Sequence, residues 1–158
     1  MRRPVSIAIG LTALALALPA CGTNDEGTPV ACLEGSKTYL QALEDAPEPV
    51  RLPGGTRISD CVTKNQGGGE LATIGISMVR AATALNSEAR QNPGGPAAVQ
   101  LGFLLGAVER GAEDTAGIHS ELVRRLEAAA KYSSGDRPLP RRLERAYEAG
   151  FEAGQVLG

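Results

Sequence analysis

The sequence predicts an all-α protein: a small bundle of four to five helices with one disulfide staple near its N-terminal end. Three observations carry this expectation. Apolar residues recur at intervals of three and four through most of the chain beyond residue 31, the period of a helix face. The joints between these stretches are short and rich in Gly and Pro, which favours a bundle of neighbouring helices. Aromatic residues are only 3% of the 158 and Trp is absent, so the core must be built from Leu, Val, Ile and much Ala. Small side chains reach native packing density only where backbones come close, which favours packed helices over a sheet sandwich.

The elements follow in order. Leu33, Leu40 and Leu43 predict a short amphipathic helix from Leu33 to about Asp45, ended by Pro47. Residues 51–61 read as a looping return, in which Ile58, with Val62 just beyond, is apolar enough to touch a core. Gly67 to Gly69 read as a hinge. Leu71, Ile74, Met78, Ala82, Leu85 and Ala89 form the clearest stripe in the chain and predict a helix from about Glu70 to Gln91. Ile74, Ile76 and Met78 also alternate as in a strand, and the length of the stretch decides for helix. After the break Asn92-Pro93-Gly94-Gly95-Pro96, the segment Ala97 to Arg110 is apolar nearly all round, which predicts a central buried helix. Its Gly102 and Gly106, four apart on one face, suit close contact with another helix.

Gly111 to Gly117 is an expected joint, with Asp114 or Thr115 available as a cap. A helix continuing through it would lose about 1 kcal/mol per interior glycine. From Ile118, Leu122, Leu126 and Ala130 line one face while Glu121, Arg124, Arg125 and Glu127 line the other. Ser133 to Arg137 reads as a turn, and Pro138 and Pro140 suit the first turn of a last helix. That helix is striped by Leu143, Tyr147, Phe151 and Gly154, with Ala146, Gly150 and Leu157 widening the stripe.

Ahead of the domain, Arg2 and Arg3 precede an uncharged apolar run from Val5 to Leu18, the layout of a secretory signal. The run is shorter than the roughly 20 residues a membrane span needs, and Pro19 closes it. Leu18-Pro19-Ala20-Cys21 resembles the lipobox of bacterial lipoproteins, with Pro19 where Ala, Ser or Thr is usual. The resemblance covers the leader alone. It implies that residues 1–20 are removed and that the Cys21 thiol carries diacylglycerol, with a further acyl chain such as palmitate. At least two chains satisfy the requirement for stable anchoring. It also implies a lipid-anchored protein on the extracytoplasmic face of a cell membrane, inner or outer left open. Residues 21–30 are then the lipidated cysteine and a flexible tether, and residues 31–158 a single helical domain.

Once Cys21 is acylated, only Cys32 and Cys61 remain, and export places them where disulfides persist. They are expected to pair. Their spacing is not C-x-x-C, so a thioredoxin-like role lacks support.

The chemical inventory is thin. Loss of the leader removes two of sixteen basic residues and no acids, moving the formal charge from −2 to −4, which does not suit nucleic acid. The one histidine, His119, is expected as a partly exposed residue at a helix start. Ala116 stands three residues before it, so the Glu-x-x-His pattern of di-iron bundles is missing. Gly67 to Gly69 lack the Lys-Ser/Thr of a phosphate loop, and Glu70 repels an anion there. Arg137, Arg141, Arg142 and Arg145 form a basic cluster in which Glu144 and Glu148 interleave, expected as helix-face ion pairs.

These readings predict no enzyme, no cofactor and no metal. The leading expectation is a non-catalytic interaction module whose partners are membrane lipid, through Cys21, and an envelope protein. The alternative is small-molecule or ion binding around Glu109, Glu113 and His119.

Overall fold

The computed structural model describes residues 27–131 and 140–158, and among them it contains helices and no strand. The all-α class and the disulfide near the N-terminal end are both present. Five α-helices follow in order: α1 Ser36–Ala42, α2 Gly68–Gln91, α3 Pro96–Ala112, α4 Ser120–Ala130 and α5 Arg141–Leu157. The Cys21 site, the turn expected at Ser133 to Arg137 and Pro138 lie outside the described residues.

The N-terminal region departs most from expectation. The helix expected over 33–45 is divided, because Gly35 takes φ 99° and interrupts it. Leu33 ends a preceding 3-10 turn, Val30–Leu33, and Leu43–Asp45 tightens into another after α1. A positive φ of this kind suits glycine, which has no Cβ to clash. The central residue here is Tyr39, fully buried, whose hydroxyl donates to the Cys32 carbonyl oxygen at 2.9 Å. Val50 and Leu52 are buried beside Ile58 and Val62, so this irregular segment contributes more to the core than its Pro and Gly content suggests. Thr28 and Ala31 are buried as well. Cys32 and Cys61 are bonded, with Cα atoms 5.5 Å apart and both residues fully buried.

Gly67 to Gly69 are not a hinge. Gly67 is the N-cap of α2, and Gly68 and Gly69 form its first turn. The stripe assigned to α2 holds: Ile74, Met78, Ala82, Leu85 and Ala89 are buried. In α3 every residue from Leu101 to Val108 is buried, as expected of a central helix.

The joint after α3 is real, but neither Asp114 nor Thr115 caps the next helix. The buried Thr115 hydroxyl instead donates back to Ala112 O at 2.7 Å. Ala116 and Gly117, at φ 52° and 83°, reverse the chain, and α4 starts after His119. Ile118 therefore precedes the helix and is half exposed. At the other end of α4, the buried Asn86 of α2 donates its amide to Ala129 O at 2.7 Å, satisfying a carbonyl that the helix leaves free.

The most extensive helix contact is between α3 and α5. A Cβ placed on Gly150 would meet Val99; on Gly154, Phe103; on Gly158, Ala107. Residue numbers rise together, so the two helices run parallel. From the α3 side, Gly102 abuts Tyr147 and Phe151, and Gly106 abuts Phe151 and Gln155. Glycines on both helices thus let the backbones touch, in the manner of small-residue pairs in membranes. Similarly, α2 and α4 run parallel, with Gly75 facing Leu122 and Asn86 facing Ala129. No described helix is long and apolar enough to cross a membrane.

Candidate functional site

Three places in the fold gather polar groups. The first is a relay centred on Gln66. Its amide nitrogen donates to Cys61 O at 2.9 Å and to Thr28 Oγ1 at 2.7 Å, and Thr28 in turn donates to Glu70 Oε2 at 2.8 Å. A carbonyl can only accept, so Cys61 O fixes the orientation of the Gln66 amide and turns Oε1 towards His119 Nε2, 2.8 Å away. Nε2 therefore carries the proton and donates. The other ring nitrogen, Nδ1, is buried without a hydrogen-bond partner.

His119 is thus a correction to expectation. The residue is fully buried, because the reversal at Ala116 and Gly117 brings the ring against the chain around Gln66. Burial holds its pKa below the ordinary 6.5 and favours the neutral ring. A base with its free lone pair enclosed in the fold is poorly placed to take a proton from a substrate.

The histidine makes stability depend on pH. Its pKa is lower folded than unfolded, so the unfolded chain takes up the proton first. The stability it contributes is complete above 6.5 and is lost as pH falls below that value towards the folded pKa. Urea midpoints measured from neutral to mildly acidic pH are expected to fall more steeply for the wild type than for His119→Gln. Parallel profiles would refute the assignment.

The second place is a groove of about 460 Å³ lined by Glu109, Glu113, Ser120, Val123, Arg124 and Glu127 among others. It unites two of the three residues expected together, Glu109 and Glu113, but His119 does not line it. Glu127 is the third carboxylate, contributed by α4. Burial, then the charges of Glu127 and Glu113, raise the Glu109 pKa. Gln155 donates to Glu109 Oε2 at 3.3 Å. The nearby Tyr147 phenol is pushed up to about 12 by burial and by Glu109 and Glu127. Among the described residues no group of three or more His, Cys, Asp or Glu is arranged to hold a metal ion.

The third place was not anticipated. A cleft of about 640 Å³ lies between the 57–65 segment and the C-terminal end of α3, lined by Arg57, Asp60, Thr63, Lys64, Arg110 and Asp114 among others. Its floor depends on glycine: a Cβ on Gly111 would lie 3.1 Å from Ser59 Cα and 3.0 Å from Val62 Cβ. Arg57 and Asp60 are locked together, with Nη2 to Oδ1 at 2.8 Å and Nε to Oδ1 at 3.1 Å. Burial pushes the Asp60 carboxyl up, but Arg57, by hydrogen bonds and charge, and Arg51, by charge, outweigh it and hold it below its usual value. No sequence signal marked this cleft, because its walls lie roughly 50 residues apart in the chain and none of the charged ones recurs in a motif.

Compared with known proteins, the chain matches no family model, no curated protein and no solved structure. The site residues therefore stand on geometry alone. Arg141, Arg142 and Arg145 are exposed, and among the described residues none forms a salt bridge with Glu144 or Glu148; Arg137 lies outside them.

Proposed function

We propose that this chain is a lipid-anchored lipoprotein of the bacterial envelope, held on the extracytoplasmic face of a membrane through Cys21. Its helical domain works there as a non-catalytic module that contacts another envelope component. The observation that carries the reading is the Cys32–Cys61 disulfide, which supports a compartment where such bonds persist and fits the Leu18-to-Cys21 lipobox. The two buried cysteines are committed to each other, which leaves Cys21 as the one thiol for lipid. The non-catalytic part rests on the chemistry: the sole histidine is enclosed in the fold and does not line the α3–α4 groove, so Ser120 there has no imidazole beside it.

Metabolic labelling with a fatty acid is expected to mark the wild-type chain and not Cys21→Ala, and the variant is expected to leave the membrane fraction. Cross-linking in intact cells should then capture one specific envelope partner from the wild type and lose it in the variant. Equal labelling of both forms would overturn the anchor; no specific partner in either would overturn the contact reading.

A further inference from the structure

We propose that the domain rests end-on against the lipid surface that holds Cys21, through the end of the bundle that carries Val30, Ile118 and Val156. This rests on the anchor reading above and adds to it which surface the membrane covers.

The bundle has two distinct ends. At one, the Gln66 relay ties Thr28 to the start of α2 and to His119 at the start of α4. The bond from Gln66 to Cys61 O joins this relay to the 59–61 turn, where Ser59 lies against Gly111 of α3 and donates to Gly158 O after α5. The opposite end holds the turn between α2 and α3, the start of α5, whose Arg142 lies beside Gly94, and the end of α4, bonded to Asn86.

The anchor joins the first end. Thr28 is buried and bonded to Gln66 and Glu70, so the point where the chain enters the domain is fixed. Seven residues separate it from Cys21, a reach of about 25 Å at full extension. The 24 residues of α2 hold the two ends about 36 Å apart. With the opposite end on the membrane, Thr28 would stand farther from the lipid than the chain can reach. Contact is therefore made by the anchored end or by a flank.

The exposed side chains decide between these. Among the described residues four large apolar side chains are exposed, and three belong to the anchored end. Val30, 77% exposed, is two residues from Thr28; Ile118, 49% exposed, adjoins His119; Val156, 81% exposed, is in the last turn of α5. The flanks present charge instead, with Glu121, Arg124 and Arg125 on α4 and Glu144, Glu148 and Glu152 on α5. Apolar side chains gain by leaving water for the interface, whereas charges lose hydration there. Both signs of charge occur at the anchored end, where Arg57 pairs with Asp60 and Asp114 lies along the same cleft as Lys64 and Arg110. The contact is accordingly apolar and does not require anionic lipid.

The test uses the lipidated full-length chain, reconstituted into phosphatidylcholine nanodiscs that contain a nitroxide-headgroup lipid, with its Val and Ile methyl groups labelled for NMR. Intact mass first establishes that the chain carries diacylglycerol. Broadening is expected to be strongest at Val30, Ile118 and Val156, weaker at Ile76, and absent at Val99 near the opposite end. Val30→Asp with Val156→Asp should abolish the broadening at Ile118; both positions are largely exposed, so the thermal midpoint should not change. Added phosphatidylserine should leave the pattern as it is. An intact mass without lipid would overturn the anchor reading and this proposal together. A lipidated chain broadened most at Val99 or evenly along α2, or unaffected by the double substitution, would overturn the orientation alone. Concentration-dependent shifts of the same methyl groups in Cys21→Ala without lipid would assign this end to a second copy of the chain, and would equally overturn it.

Discussion

Gly150→Ala is expected to destabilise the protein by about 3 kcal/mol, the upper range for forced overpacking. Helix propensity alone predicts the reverse, since alanine is favoured over glycine by about 1 kcal/mol inside a helix. Packing wins because the new Cβ would meet the Val99 carbonyl oxygen, with Val99 C at 2.7 Å and Cα at 2.9 Å. These are backbone atoms of a buried helix and cannot swing aside as a side-chain tip could. The helices must separate, and separation uncovers the apolar run Leu101 to Val108 at the centre of the core. Gly102→Ala should behave alike, its Cβ lying 2.7 Å from Phe151 N and against Tyr147. Gly69→Ala is the control: it stands in the first turn of α2, where a Cβ would have nothing within 4 Å, and should be neutral or stabilising. Urea denaturation followed by circular dichroism distinguishes the cases. A Gly150→Ala midpoint at or above that of the wild type would refute direct backbone contact between α3 and α5.

Reduction of Cys32–Cys61 is expected to lower stability by roughly 3 to 4 kcal/mol in the loop-entropy account. The bond spans 29 residues, and that loop has little regular structure of its own beyond α1. What it encloses nevertheless belongs to the core: Tyr39, Leu43, Val50 and Ile58 are all fully buried. Opening the loop frees an irregular chain that local hydrogen bonds hold weakly. The effect should reach further, because Ser59 supports Gly111 of α3 and donates from Oγ to Gly158 O at 2.6 Å. Urea midpoints with and without reductant, and for Cys32→Ser with Cys61→Ser, should fall together, and amide exchange around Ser59 and Gly111 should quicken. Coincident midpoints for oxidised and reduced protein would count against the staple as a principal source of stability.

The long helices were legible because burial leaves a period in the sequence. Ile74, Met78, Ala82, Leu85 and Ala89 repeat as one face, and the unbroken apolar run in α3 announces a helix enclosed on all sides. The N-terminal region was less legible. Residues 51–61 carry no period, so Leu52 reads as part of a loop although it is buried. His119 was misplaced for a related reason: its exposure depends on where the chain around Gln66 returns, and no local pattern reports a contact 53 residues away. The candidate sites divide likewise. Glu109 and Glu113 are one helical turn apart and could be paired by spacing, whereas Lys64 comes to share a cleft with Arg110 and Asp114 only through folding.

By itself, then, the sequence determined the helical class, the position of the central helix, the pairing of its two remaining cysteines and the motif at Cys21, since each is written in local spacing or residue type. Tertiary structure alone decided that α5 lies parallel to α3 rather than against its chain neighbour α4. Gly102 and Gly106 mark a face that can be approached closely, but they do not say by which helix. That choice falls to Gly150, Gly154 and Gly158, whose missing side chains allow backbone contact at the matching level along α3, and complementarity between two surfaces exists only once both are folded.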